Sequence, residues 1–135
     1  MEGNVSVRRG WLKAMYVYTL VMSGGMGLGM ILLPGPVQTA WRLPPQDPVM
    51  FGTCGSLFLA LGLISLLGLR SPVKYAPVLL LELIYKPIWL AAVALPIFLK
   101  GLFPFFVVAT SVIFITFIIG DLIAIPFALL FQKKE

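Results

Sequence analysis

Histidine is missing from this 135-residue chain, cysteine occurs once, and aspartate and glutamate together number only five. Without histidine the commonest general base is gone, and with it the usual haem ligand and most transition-metal sites. A lone Cys54 makes no internal disulfide and no C-x-x-C pair for thiol redox chemistry, so it is expected to be a small packing residue of the second helix. The signatures G-x-x-x-x-G-K, G-x-S-x-G and H-E-x-x-H are absent. The few acidic side chains inside apolar segments do not repeat as a carboxylate metal set. No metal or cofactor is expected, and neither is a catalytic residue.

Charge is also scarce, at 11% of residues against 60% hydrophobic, with a mean hydropathy of +1.03. A soluble domain of this length needs a polar shell that this composition does not supply. About 20 apolar residues cross a bilayer, and four such runs are visible, at 12–33, 49–69, 76–99 and 103–131. The joints are "PGPVQTAWRLPPQDP", "RSPVK" and "KGLFP". Backbone groups find no water in the hydrocarbon core, so each run is predicted to be a helix. The expected architecture is all-α: residues 1–135 as a single compact four-helix transmembrane domain, with no internal repeat.

The net charge of +5 is a threading signal and does not point to nucleic acid. Arg8, Arg9, Lys13, Arg70, Lys74, Lys133 and Lys134 fall on one side of the predicted bundle, Arg42 and Lys100 on the other, and Lys86 inside a helix. Seven against two places both termini and the middle loop in the cytoplasm by the positive-inside rule. Attraction to anionic headgroups follows from the same charges, so membrane lipids are the first expected partners. The segment "VRRGWLK" imitates a twin-arginine export motif. The only nearby cleavage candidate, "VQTA", carries Gln38 where a small residue belongs, so a retained first helix is expected.

Glycine marks the first two helices as packing elements. Gly24, Gly25, Gly27 and Gly29 crowd one half of helix 1, and Gly52, Gly55, Ser56 and Gly62 are expected to share a face of helix 2. Small residues let membrane helices approach closely.

"LELIYKPIW" (residues 81–89) is the polar exception. Glu82 and Lys86 stand at i, i+4 and so face each other along a helix. Tyr85 and Trp89 flank them on the same arc. Counted from residue 76, Lys86 lies about 15 Å into the membrane, and counted back from residue 131, so does Asp121. Thr110, Ala124 and Ala128 share the side of Asp121, which favours an inward orientation. The expectation is a Glu82–Lys86–Asp121 cluster near the midplane, formally −1 if every group is ionised. Pro87 is expected to kink helix 3 beside the charges, and Pro126 to kink helix 4. Two readings of the cluster stand side by side. One is a structural salt bridge that fixes helix 3 against helix 4, and the other is a protonatable site of the kind transporters carry.

The overall layout, with a Pro-rich joint after helix 1 and then "FGTCGSLFLALGLISLLGLRSP", resembles the small four-helix bacterial membrane proteins grouped as DoxX-like. That resemblance implies a multi-pass protein of a bacterial inner membrane and no particular reaction. Three function classes follow from the residues: a structural or accessory subunit with a protein partner, a small proton- or cation-coupled transporter acting as a homo-oligomer, and, with least support, a membrane enzyme acting on lipid or quinone.

The charge bias makes a first prediction. A reporter fused at residue 135 reads as cytoplasmic and one fused near Gln46 reads as external; the opposite pattern would reverse the threading.

Overall fold

The structure, a computed structural model, describes residues 7–131 and contains only helices among them. Four are long and apolar enough to cross a membrane: α1 (Arg9–Leu32), α3 (Pro48–Arg70), α4 (Ala76–Leu99) and α5 (Phe105–Ala124). Two short ones, α2 (Pro34–Ala40) and α6 (Phe127–Leu130), follow α1 and α5. Lys133 and Lys134, two of the cations used to thread the chain, lie outside the described residues.

Local chemistry explains the ends. Asp47 caps α3, its Oδ1 accepting from the backbone N–H of Val49 at 2.8 Å and Met50 at 3.3 Å, and Pro48 sits at the first helical position where its missing N–H is no loss. Gly101, with φ +77°, makes the turn between α4 and α5 that a side-chain-bearing residue would resist. The joint after α1 is half helical, because Pro34 starts α2.

The fourth span differs from expectation. It does not run to residue 131 with a kink; α5 stops at Ala124, and Ile125 adopts an extended conformation (φ −71°, ψ 127°). Ile125 precedes Pro126, whose ring disfavours helical geometry one residue upstream, and here that preference ends the helix. Ala128 consequently lies beyond the break and is exposed, so the helical face shared with Asp121 reaches only to Ala124. In α4 the irregularity is also displaced. The α-helix continues unbroken through Pro87 to Trp89, and a wide π turn, Leu90–Ala94, follows between Pro87 and Pro96. Each proline removes one i→i−4 bond, and the wider turn takes up the mismatch beyond the charges. A second π turn, Leu20–Gly24, interrupts α1.

The bundle is organised around α1 and α5. Helix α1 packs along α3 on one side and α5 on the other, α4 packs on α5, and contacts of α4 with α1 and α3 are sparse. Glycine sets the α1–α3 distance. A Cβ on Gly27 would overlap the backbone of Gly55 and Leu59, and one on Gly62 would overlap Gly24. Of the four residues expected to share the packing face of helix 2, Gly55 and Gly62 lie in this contact. Gly52 meets nothing within 4 Å, and Ser56 is exposed with its hydroxyl donating to its own helix at the carbonyl of Gly52, 2.8 Å away. Gly55 and Gly62 are two turns apart on nearly one line, while Gly52 and Ser56 are rotated away from it. Cys54 is exposed on the outer face of α3 and is no core packing residue. Most outward positions along the spans are apolar, including Leu63, Leu81, Ile84, Ile88, Ile115 and Ile119. Such a surface suits hydrocarbon as its solvent.

This contact generates a prediction. Gly62→Ala forces backbones apart and costs about 1–3 kcal/mol of stability, whereas Gly52→Ala is neutral. Equal effects of the two changes on melting temperature in detergent would contradict the geometry.

Candidate functional site: a buried ion pair and an unpartnered carboxylate

Helix α4 enters the bundle at Ala76 and brings Glu82 and Lys86 inward on successive turns, 0% and 1% exposed. The Lys86 ammonium donates to Glu82 Oε2 at 2.7 Å, and the Thr19 hydroxyl of α1 donates to Glu82 Oε1 at 2.8 Å. Both oxygens of that carboxylate are therefore satisfied, and α4 is tied to α1 where their other contacts are few. Lys86 is wrapped by ring faces: its Nζ lies 4.0 Å from the centroid of Phe117, 4.5 Å from that of Tyr85 and 5.4 Å from that of Phe114. The rings stabilise the cation further by their quadrupoles. Tyr85 and Trp89 both meet Phe114 edge-on, with centroids 5.9 and 5.1 Å apart, so these flanking aromatics join α4 to α5.

Asp121 is fully buried on α5, and neither carboxylate oxygen has a hydrogen-bond partner among the described residues. Its packing neighbours are apolar, with Glu82 and Lys86 within electrostatic reach but not bonded to it. Phe117, Ala124 and Ile125 of its own strand of chain belong to a core cluster with Leu12, Met15 and Tyr16 of α1 and Ala76 and Leu79 of α4. The Tyr16 hydroxyl points elsewhere, donating to the carbonyl of Pro72 at 2.6 Å.

The position of Asp121 along its helix differs from the expected one for a definite reason. The count back from residue 131 assumes an unbroken helix to that point, whereas α5 ends at Ala124, so Asp121 stands one turn from the helix terminus. Nearby, the Arg8 guanidinium donates to the carbonyl of Ile123 at 3.0 Å. Lys86 is level with Phe117, which precedes Asp121 by one turn, about 6 Å. Glu82 lies one turn from Lys86 in the same direction, so the two carboxylates share a level and the lysine stands a turn away, bonded to Glu82. The expected three-membered cluster is thus a satisfied pair with a third, separate acid beside it.

On the other side of Lys86 lies a cavity of about 90 Å³ between α1, α3, α4 and α5. Lys86, Tyr85, Phe114 and Phe117 form its floor, with Ser23, Phe58 and Thr110 above and Trp41 toward the far end. The Ser23 hydroxyl donates to the carbonyl of Phe58 at 2.9 Å, which holds α1 and α3 at the cavity wall. Among the described residues, no three His, Cys, Asp or Glu side chains stand close enough to share a metal ion.

Comparison with family models, with curated proteins and with solved structures finds no match to this chain. Three contributors were not singled out from the sequence. Thr19, Phe114 and Phe117 complete the surroundings of Glu82 and Lys86. A hydroxyl in the apolar run of helix 1 was a visible signal for Thr19, but phenylalanines in an apolar helix carry none.

The pair predicts a non-additive mutational response. Lys86→Ala strands a buried carboxylate and costs about 3–5 kcal/mol, more than Glu82→Ala and Lys86→Ala combined. A double-mutant cycle in detergent with no coupling would show that the two groups do not meet.

Proposed function

We propose that the protein is a small proton-coupled membrane carrier that works as a homo-oligomer, with Asp121 as the group that takes up and releases the proton. The observation that carries this reading is that the buried Asp121 carboxylate has no hydrogen-bond partner among the described residues. An ionised group inside a membrane bundle costs several kcal/mol unless it is paired, and the one lysine buried among the described residues is engaged by Glu82 instead. A structural counter-ion would sit against its partner. A carboxyl group that must change state during a working cycle is better served by no fixed partner at all.

Glu82, Lys86 and Thr19 have a different role in this proposal. Their mutual bonds hold α4 to α1 and keep the cationic floor of the cavity in place. The two π turns lie in α1 and α4, the two helices this network joins, and π turns are common where membrane helices flex or bind. Four helices enclose little space, as the cavity volume indicates, and a path across the membrane is completed by a second copy. The charge bias supports both termini in the cytoplasm, and the DoxX-like layout supports a bacterial inner membrane.

The second reading is an accessory subunit of a membrane assembly. It is favoured by the complete pairing of Glu82, which needs no function beyond specifying the bundle.

Asp121→Asn separates the two, since asparagine keeps the shape and cannot ionise. In the carrier, proton flux into liposomes falls to background while the melting temperature moves by no more than about 4 °C, roughly 1 kcal/mol for a chain of this size. A large loss of stability, with no flux from either protein, would overturn the carrier and leave the accessory subunit.

A further inference from the structure

Helices α3 and α4 do not close against each other, and an apolar groove of about 550 Å³ runs between them, lined by Leu57, Ala60, Leu61, Ile64, Val78 and Leu81. Leu57 and Leu81 are more than half exposed, so the groove opens to the outside of the bundle, where lipid chains lie. Phe58 and Tyr85 line both this groove and the cavity over Lys86, so the two spaces share a wall. Their chemistry is opposite. The groove offers hydrocarbon along its length, and the cavity ends on a buried ammonium.

An ammonium has three N–H donors. Among the described residues Lys86 uses one, to Glu82 Oε2; the faces of Tyr85, Phe114 and Phe117 pack on it, and Asp121 is within electrostatic reach but not hydrogen-bonded. Ring faces attract the cation but do not accept two strong hydrogen bonds. The unused donors therefore call for an acceptor at the cavity floor, and a carboxyl group supplies two oxygens close together. A cavity of about 90 Å³ holds several water-sized groups, enough for a carboxyl and its first methylenes, while a glycerophosphate head is too bulky. A cationic head would meet Lys86 as a like charge.

We propose that a single-chain lipid with a carboxylic acid head, a free long-chain fatty acid, enters sideways from the bilayer between α3 and α4, laying its chain in the groove and its carboxyl on Lys86. Phe58 and Tyr85 part to admit the head, and Trp41 lies near the cavity's far end. This site stands apart from the proton reading: binding without flux would leave it intact, and flux without binding would leave Asp121 intact.

The full chain, in phosphatidylcholine nanodiscs, is titrated with stearic acid brominated at mid-chain, and the quenching of tryptophan fluorescence is followed. The brominated methyl ester and the primary amine of the same chain control for partition into the lipid. The acid is expected to reach half-quenching at a concentration about tenfold below either control, the value of one charge-assisted hydrogen bond. Two variants then probe the two ends of the site. Ala60→Phe fills the groove from an exposed position and leaves the core alone. Glu82→Gln with Lys86→Met removes the ammonium without stranding a charge. Each is expected to raise the midpoint for the acid to that of the controls. The proposal is overturned if ester or amine quenches the wild type as well as the acid does, or if the midpoint stays put in either variant that folds.

Discussion

A lysine in the interior of an apolar bundle constrains everything around it. Its charge cannot be left to hydrocarbon, so Glu82 must lie one turn away on the same helix, and the second oxygen of that glutamate must find its own donor. Thr19 supplies it from α1, which obliges α1 and α4 to approach at that level. Rings from α5 and α4 then pack against the ammonium beside the cavity. Helix position, helix rotation and the choice of Phe117 and Phe114 over smaller residues all follow from making this one ion tolerable.

The glycine contact between α1 and α3 serves the same end by a different force. Without water, apolar side chains gain nothing by leaving lipid for each other, and close approach of backbones has to supply the attraction. Gly27 on Gly55 and Gly24 on Gly62 bring the axes together, and the Tyr16 ring against Gly68 and the Met15 sulfur against Gly120 extend the pattern toward the helix ends. Helix α1 is thereby fixed on two sides, leaving α4 free to stand away from α3. The lateral groove exists because α4 is held through its charges and α5, with no glycine seam to draw it onto α3. Packing in one half of the bundle and polar bonding in the other are thus complementary.

Much of the fold was legible along the chain. The four apolar runs place all four spans, and the ends of three of them agree with the structure to within a few residues, because hydrophobic length and proline boundaries are local properties. The i, i+4 spacing of Glu82 and Lys86 implies their bond for the same reason. The fourth span went astray at one residue. Pro126 promised a kink, and whether a helix bends or stops at a proline depends on what satisfies the freed carbonyls and what packs beyond, neither of which is written locally. That single difference leaves Asp121 one turn from the end of its helix, where an unbroken span would have placed it ten residues from the end.

By itself, then, the sequence determined the class of protein, its number of helices long enough to cross a membrane, the identity of its buried ions and the pairing of two of them, since each depends on composition or on neighbours within one helical turn. The tertiary structure decided which of the glycines touch, that Thr19 completes the glutamate, and that Asp121 lies beside the ion pair without a hydrogen bond to it. It also decided that Lys86 faces a cavity sharing a wall with a groove to the bilayer. These are matters of how separate helices are rotated and shifted against one another. A helix carries its own hydrogen bonds whichever way it turns, so its rotation is set only by the partners that it meets.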